Sequence, residues 1–228
     1  MNEVGTHGSA TDQLGSTDGE TTEFTEITDA RQLHELVGTP LRRTLDKERS
    51  TLHELDRQWL ARSPFCLVAT SDEHGNCDVS PKGDPPGFTL VLDESTIALP
   101  ERPGNRRADG FHNILRNPHV GLLYMIPGRG DTLRINGRAR IATDAPFFER
   151  MEVGGHRPAL ALVVETEQIF HHCAKSFMRA DLWNPESWNP GAVDSRPRIA
   201  KTLESPEKSL AELERYYGDS YAAKLYGG

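Results

Sequence analysis

The chain has 228 residues, 36% of them hydrophobic, and a formal net charge of −8. Seven acidic side chains fall within the first 30 residues, which hold no lysine or arginine; the remainder is close to neutral and has no basic block of the kind that binds nucleic acid. Cys66, Cys77 and Cys173 are widely spaced with no C-x-x-C pair, which argues against a disulfide framework or a zinc site, and no apolar run approaches a membrane span.

This length supports one core of about 150 residues plus terminal additions. Residues 1–25 are acidic and rich in Gly, Ser and Thr, and are expected to be a solvated, disordered tail dispensable for ligand binding. The segment 26–62 has helical texture. Leu33, Leu36 and Val37 share a face, Leu41, Leu45, Leu52, Leu55 and Trp59 continue near helical spacing, and Pro40 separates two helices.

From Phe65 the period changes. The apolar run 65–70, the turn signals Asp72-Glu73-His74-Gly75-Asn76 and the segment 77–81 predict a hairpin. A second hairpin is expected from 88–92 and 96–99 around Asp93-Glu94-Ser95. A helix over 106–116 turns Phe111, Ile114 and Leu115 inward. Segments 120–126 and 132–142 flank Pro127-Gly128-Arg129-Gly130 as a third hairpin. In its second strand Leu133, Ile135, Gly137, Ala139 and Ile141 alternate with Arg134, Asn136, Arg138 and Arg140. A short helix at 144–151, a long strand at 159–170 and a helix at 173–179 complete a barrel region, 63–183. The stretch 184–228 reads as an extension with surface helices at 207–217 and 221–226. Six or seven short strands in hairpins with a few helices predict a mainly β protein built on an antiparallel barrel.

Two segments carry chemistry. Pro103-Gly104-Asn105 ends a strand, with Asn105 as a candidate N-cap, which would place Arg106 and Arg107 in the first turn of a helix. Free N–H groups, the positive dipole end and two guanidiniums suit a phosphate. Upstream, Ser80-Pro81-Lys82-Gly83 ends a strand with a hydroxyl, a lysine and backbone free to approach a ligand. The expected ligand is therefore a phosphorylated small molecule.

The order of "SPFCLVATSDEHGNCDVSPKGD", "LPERPGNRRADGFHNILRNPHVGLLY", "LRINGRARI" and "HHCAKSFMRADLW" resembles the pyridoxamine 5'-phosphate oxidase-like superfamily. The likeness is to its branch of bacterial proteins assigned as FMN-dependent enzymes without a known substrate, and it covers roughly residues 62–185. The resemblance implies a split antiparallel β-barrel of the FMN-binding type with helical flanks, working as a homodimer with FMN at the subunit interface. It implies that the strand ending at Lys82 lies along the flavin ring, with Val79, Ser80 and Pro81 facing its pyrimidine edge. Asn105, Arg106 and Arg107 take the place of the family's phosphate clamp, and Lys175 and Trp183 from the partner subunit wall the pocket. The oxidase proper has an arginine where this chain has Cys77, and Lys175 and Arg179 are the nearest counterparts of its C-terminal substrate residues, so vitamin B6 is not the expected substrate.

The function these readings support is an FMN-dependent oxidoreductase acting on a small molecule by hydride transfer at flavin N5, in a cytoplasmic setting. Two alternatives stand beside it. One is a non-catalytic flavin or haem module. The other is a deazaflavin-dependent reductase, for which Arg134, Arg138 and Arg140 would form the longer basic groove. Asp78 is expected to pair with an arginine such as Arg106, and Asp84 flanks the same segment; His112 and His119 lie near the expected helix, and His112 is expected to be a surface or packing residue. His171-His172-Cys173 lacks ligand spacing, and no metal site is expected. Nor does a Walker or dinucleotide-binding glycine motif occur.

Overall fold

The structure is a computed structural model that describes residues 24–226. It divides into two units, Met1–Arg42 and Arg43–Gly228. The first carries α1 (Ala30–Val37), whose N-cap Asp29 accepts a hydrogen bond from the Gln32 N–H at 2.8 Å. The proposed tail at 1–25 lies almost wholly outside the described residues. A one-turn helix, α2 (Arg42–Leu45), follows.

In the second unit, α3 (Glu54–Leu60) leads into β1 (Phe65–Ser71), β2 (Cys77–Gly83), β3 (Leu90–Val91) and β4 (Thr96–Glu101). Then come α4 (Asp109–Arg116), β5 (His119–Met125), β6 (Thr132–Ala142) and β7 (Leu160–His172). Three helices, α5 (Lys175–Arg179), α6 (Arg196–Leu203) and α7 (Leu210–Tyr216), follow the last strand, with short 3-10 turns between elements. The seven strands form one antiparallel sheet in the order β2-β1-β5-β6-β7-β4-β3. All three expected hairpins form, and the architecture is a mainly β split barrel.

The alternation of β6 has the expected sense: Leu133, Ile135, Gly137 and Ala139 are buried, while Arg138 and Arg140 are exposed. They join Val68, Ile97, Leu122, Tyr124, Val164 and Ile169 in one core. A register shift at Asn136/Gly137 brings Glu165 so close that a Cβ on Gly137 would stand 2.0 Å from its carbonyl oxygen. Only glycine fits that approach. In α4 the inward face is Gly110, Phe111 and Ile114, whereas Leu115, expected inside, is 73% exposed. The helix begins three residues later than the sequence predicts, and its i, i+4 pair Gly110/Ile114 is the one that backs onto β1.

A carboxylate fastens the N-terminal side of this unit. Asp56 on α3 is fully buried and accepts from both terminal nitrogens of Arg49, from the His53 N–H at 2.8 Å and from His171 Nε2 at 3.1 Å. Burial alone would raise its carboxyl pKa, but Arg49, the His53 N–H and His171 outweigh it and hold the group below its ordinary value. A folded pKa lower than the unfolded one gives stability that is present above the ordinary carboxylate range and is lost as pH falls through the folded value. In urea titrations the wild-type midpoint should therefore fall steeply below about pH 4. Asp56→Asn should flatten that acid limb while lowering stability at pH 7 by about 3 kcal/mol.

Candidate functional site

The phase of the β1–β2 ladder is set by two bonds at its ends. Asp84 N–H donates to the Pro64 carbonyl at 3.1 Å, and Asp72 N–H to the Asn76 carbonyl at 3.0 Å. Antiparallel pairing alternates, so even-numbered residues of β2 bond to β1 and odd-numbered ones turn their backbone outward. Because β2 ends the sheet, the N–H and C=O of Val79 and the C=O of Pro81 lie on an open edge. Pro81 is tolerated because its missing N–H falls on the outward side.

The side chains follow the other alternation. Asp78, Ser80 and Lys82 stand opposite Thr70, Val68 and Cys66 and share their inner face. The sheet curls until Glu101 of β4 and Leu162 of β7 face this strand. Together with Phe111 and Ile114 of α4 and with Asn105, Arg107, Ala108 and Asp109 they enclose a cleft of about 410 Å³. Lys82 pairs with Glu101 and lies over the Phe111 ring, 5.4 Å from its centroid. Ser80 Oγ donates to Asp78 Oδ2 at 3.0 Å.

The expected helix start is not where the sequence places it. Asn105 Oδ1 accepts from the Arg107 N–H at 3.0 Å, closing a tight side-chain turn, and Arg106 and Ala108 have left-handed φ of 63° and 57°. Each such position costs about 1 kcal/mol in a residue with a Cβ. The helix therefore begins at Asp109, with Ala108 at the N-cap position and no side-chain cap.

The consequence is that the two arginines diverge. Arg107 lines the cleft, with Nε 2.7 Å from Asp109 Oδ2, and its guanidinium pKa is raised by Asp109 first and Asp78 to a lesser degree. Arg106 lines a neighbouring space instead. Asp78 thus has Ser80 as its hydrogen-bond partner and Arg107, rather than Arg106, as its electrostatic neighbour.

Of the residues expected from the sequence, Val79, Ser80, Pro81, Lys82, Asn105 and Arg107 line one cleft. Lys175 and Trp183 do not line it within a chain. Trp183 Nε1 donates to the Arg129 carbonyl at 2.7 Å beyond the β5–β6 turn, and Lys175 opens α5 nearby. Arg134, Arg138 and Arg140 do not line it either; Arg134 bonds Gln168 at 3.0 Å and Arg138 meets His119 at 3.0 Å. His112 is exposed outside the cleft.

Glu101, Asp109, Phe111 and Ile114 are cleft residues that sequence reasoning left out. The signal for Glu101 was an inner-face lysine needing a counter-charge, but nothing in the sequence says that β4 curls opposite β2. Counted within one chain, the cleft holds three carboxylates (Asp78, Glu101, Asp109) against two cations (Lys82, Arg107).

A polar cleft beside the open edge of a split barrel places the chain in the mainly β class. The chain belongs to the pyridoxamine 5'-phosphate oxidase family, whose model matches residues 52–173. Among curated protein sequences none matches it. It is similar to three solved structures among others. Group A Streptococcus HupZ is 20% identical with a TM-score of 0.42, covering 53% of this chain and 93% of that one. An FMN-binding protein from Syntrophomonas wolfei is 12% identical with a TM-score of 0.40, covering 52% and 89%. An F420 reductase is 17% identical with a TM-score of 0.40, covering 52% and 98%. Likeness at this level carries nothing about chemistry. Among the described residues no helix is long and apolar enough to cross a membrane.

The three free thiols report on this region. Burial pushes the Cys66 thiol up to about 12 against the opposing pull of Lys82, while Cys173 is exposed and lowered by the Lys175 N–H. Alkylation at neutral pH followed by peptide mapping should label Cys173 first, and Cys66 only once the barrel unfolds.

Proposed function

We propose that the cleft binds FMN and that the protein is an FMN-dependent oxidoreductase acting on a small organic molecule as a homodimer. The observation that carries this reading is the open backbone edge of β2 at Val79 and Pro81, set beside Arg107 in one cleft. A strand edge that offers an N–H and carbonyls matches the mixed acceptors and donors of a flavin's pyrimidine edge. Val68, Ile114 and Leu162 supply apolar surface for a ring system, and Arg107 with the first N–H groups of α4 supplies positive charge for the phosphate. The residues present therefore fit the group.

When bound, the flavin supplies hydride exchange at its N5. The chain's own part is to bind and orient. Lys82 is held in place by Glu101 and Phe111, so its ammonium faces the cleft in a defined position. Asp78, held by the Ser80 hydroxyl at 3.0 Å, is the one cleft carboxylate without an ion-pair partner within 4 Å among the described residues.

Dimerisation follows from charge. A dianionic phosphate entering a cleft with one excess carboxylate needs further cations. A second copy would bring them: Lys175, with Trp183 as a wall, is proposed to come from that copy.

The test is the absorption spectrum of the full chain after incubation with FMN and desalting. The expected outcome is a retained two-banded flavin spectrum with one FMN per chain. Arg107→Gln should weaken FMN binding by about tenfold or more. A protein that stays colourless at saturating FMN would remove the cofactor from this cleft. Retained flavin that is reoxidised by oxygen and candidate acceptors no faster than free FMN would make the protein a flavin-binding module.

A further inference from the structure

Arg106 faces a space of its own. Behind the segment 102–108 lies a second chamber of about 430 Å³, and Asn105 and Phe111 are common to its wall and that of the cleft. Three arginines reach it, and two are committed elsewhere. Arg102 pairs with Asp84 at 2.6 Å and donates to the Met151 carbonyl at 2.6 Å and the His156 carbonyl at 3.2 Å. Arg157 pairs with Asp144 and Glu149. Arg106 has no ion-pair or hydrogen-bond partner among the described residues. The one carboxylate on the wall, Glu101, is neutralised by Lys82. The chamber thus holds one uncommitted positive charge.

Its wall also carries aromatic and aliphatic groups. The rings of His156 and Tyr226 stack at 6.1 Å with 21° between their planes, and Phe111 and Leu160 face the same space. Tyr226 is fixed there by its hydroxyl, which donates to Asp84 Oδ1 at 2.6 Å. The left-handed φ of Arg106 turns its side chain away from that of Arg107, and such backbone conformations at non-glycine residues concentrate at binding sites.

We propose that this chamber binds a small planar monocarboxylate, its carboxylate held by Arg106 and its ring plane packed against the His156–Tyr226 pair. A single free guanidinium matches one carboxylate in a forked pair, whereas a phosphate dianion would be left underpaired beside Glu101. The site stands independently of what occupies the cleft. Its assignment as the seat of the oxidoreductase substrate rests on the flavin reading, because the shared wall of Asn105 and Phe111 sets the two ligands side by side.

The experiment is calorimetric titration of the full chain with benzoate, with and without FMN, and with benzamide as the neutral counterpart. One saturable benzoate site per chain is expected, its affinity unchanged within about threefold by FMN, with benzamide at least about tenfold weaker. Arg106→Gln should lose about tenfold or more, Arg106→Lys should recover only part of it because an ammonium cannot make the forked pair, and Tyr226→Leu should lose several-fold. A cooperative thermal transition certifies each variant as folded. Benzoate affinity equal in wild type and Arg106→Gln would overturn the site, as would no binding at millimolar benzoate, or displacement of benzoate by FMN. If FMN fails to bind while benzoate binds through Arg106, the cofactor reading falls and the chamber stands.

Discussion

Asp84 sits where three separate parts of the chain meet. It immediately follows β2, and its buried carboxylate grips Arg102, the residue after β4, and the hydroxyl of Tyr226. Arg102 in turn spends its other nitrogens on carbonyls at Met151 and His156. One wall of the cleft is the end of β2 and another is the segment that starts at Arg102, so a single carboxylate sets their separation. Removing one partner of such a pair leaves an uncompensated buried charge, at about 3–5 kcal/mol. The whole site therefore depends on a contact that lies outside the cleft itself.

The second constraint is the open edge. A split barrel leaves β2 without an outer neighbour, and this chain places Pro81 there in the phase that wastes no donor. The same alternation that frees Val79 and Pro81 for a ligand puts Asp78, Ser80 and Lys82 on the inner face with Thr70, Val68 and Cys66. Unpaired backbone groups and charged side chains of the cleft thus come from successive residues of one strand. Within one chain that cleft carries one more carboxylate than it has cations.

Between these fixed parts, the segment 102–108 decides how charge is distributed. The Asn105 turn and two left-handed residues delay α4 to Asp109 and send Arg106 and Arg107 to different spaces. A pair of adjacent arginines that reads as one phosphate clamp is divided between two spaces, Arg107 paired with Asp109 and Arg106 with no partner among the described residues.

Much of the fold was legible from local pattern. The three hairpins, the alternation of Leu133 to Ala139 in β6 and the inward placement of Phe111 and Ile114 follow from turn residues and from periods of two and 3.6, which act between near neighbours. Lys82, Ser80, Asn105 and Arg107 were legible as ligand-facing candidates because strand ends and loop–helix junctions leave backbone groups unpaired. The start of α4 was not, since Asn105 can cap a helix or close a turn on Arg107, and both are local hydrogen bonds of similar strength. Nor could the sequence reveal that Glu101 neutralises Lys82, that Asp84 meets both Arg102 and Tyr226, the latter 142 positions away, or that Arg106 and Arg107 part company. Those contacts exist only once the sheet has curled, because they depend on distances between residues that nothing in local periodicity constrains. The sequence alone determined which residues could carry the chemistry, and the tertiary structure decided which of them share a cavity.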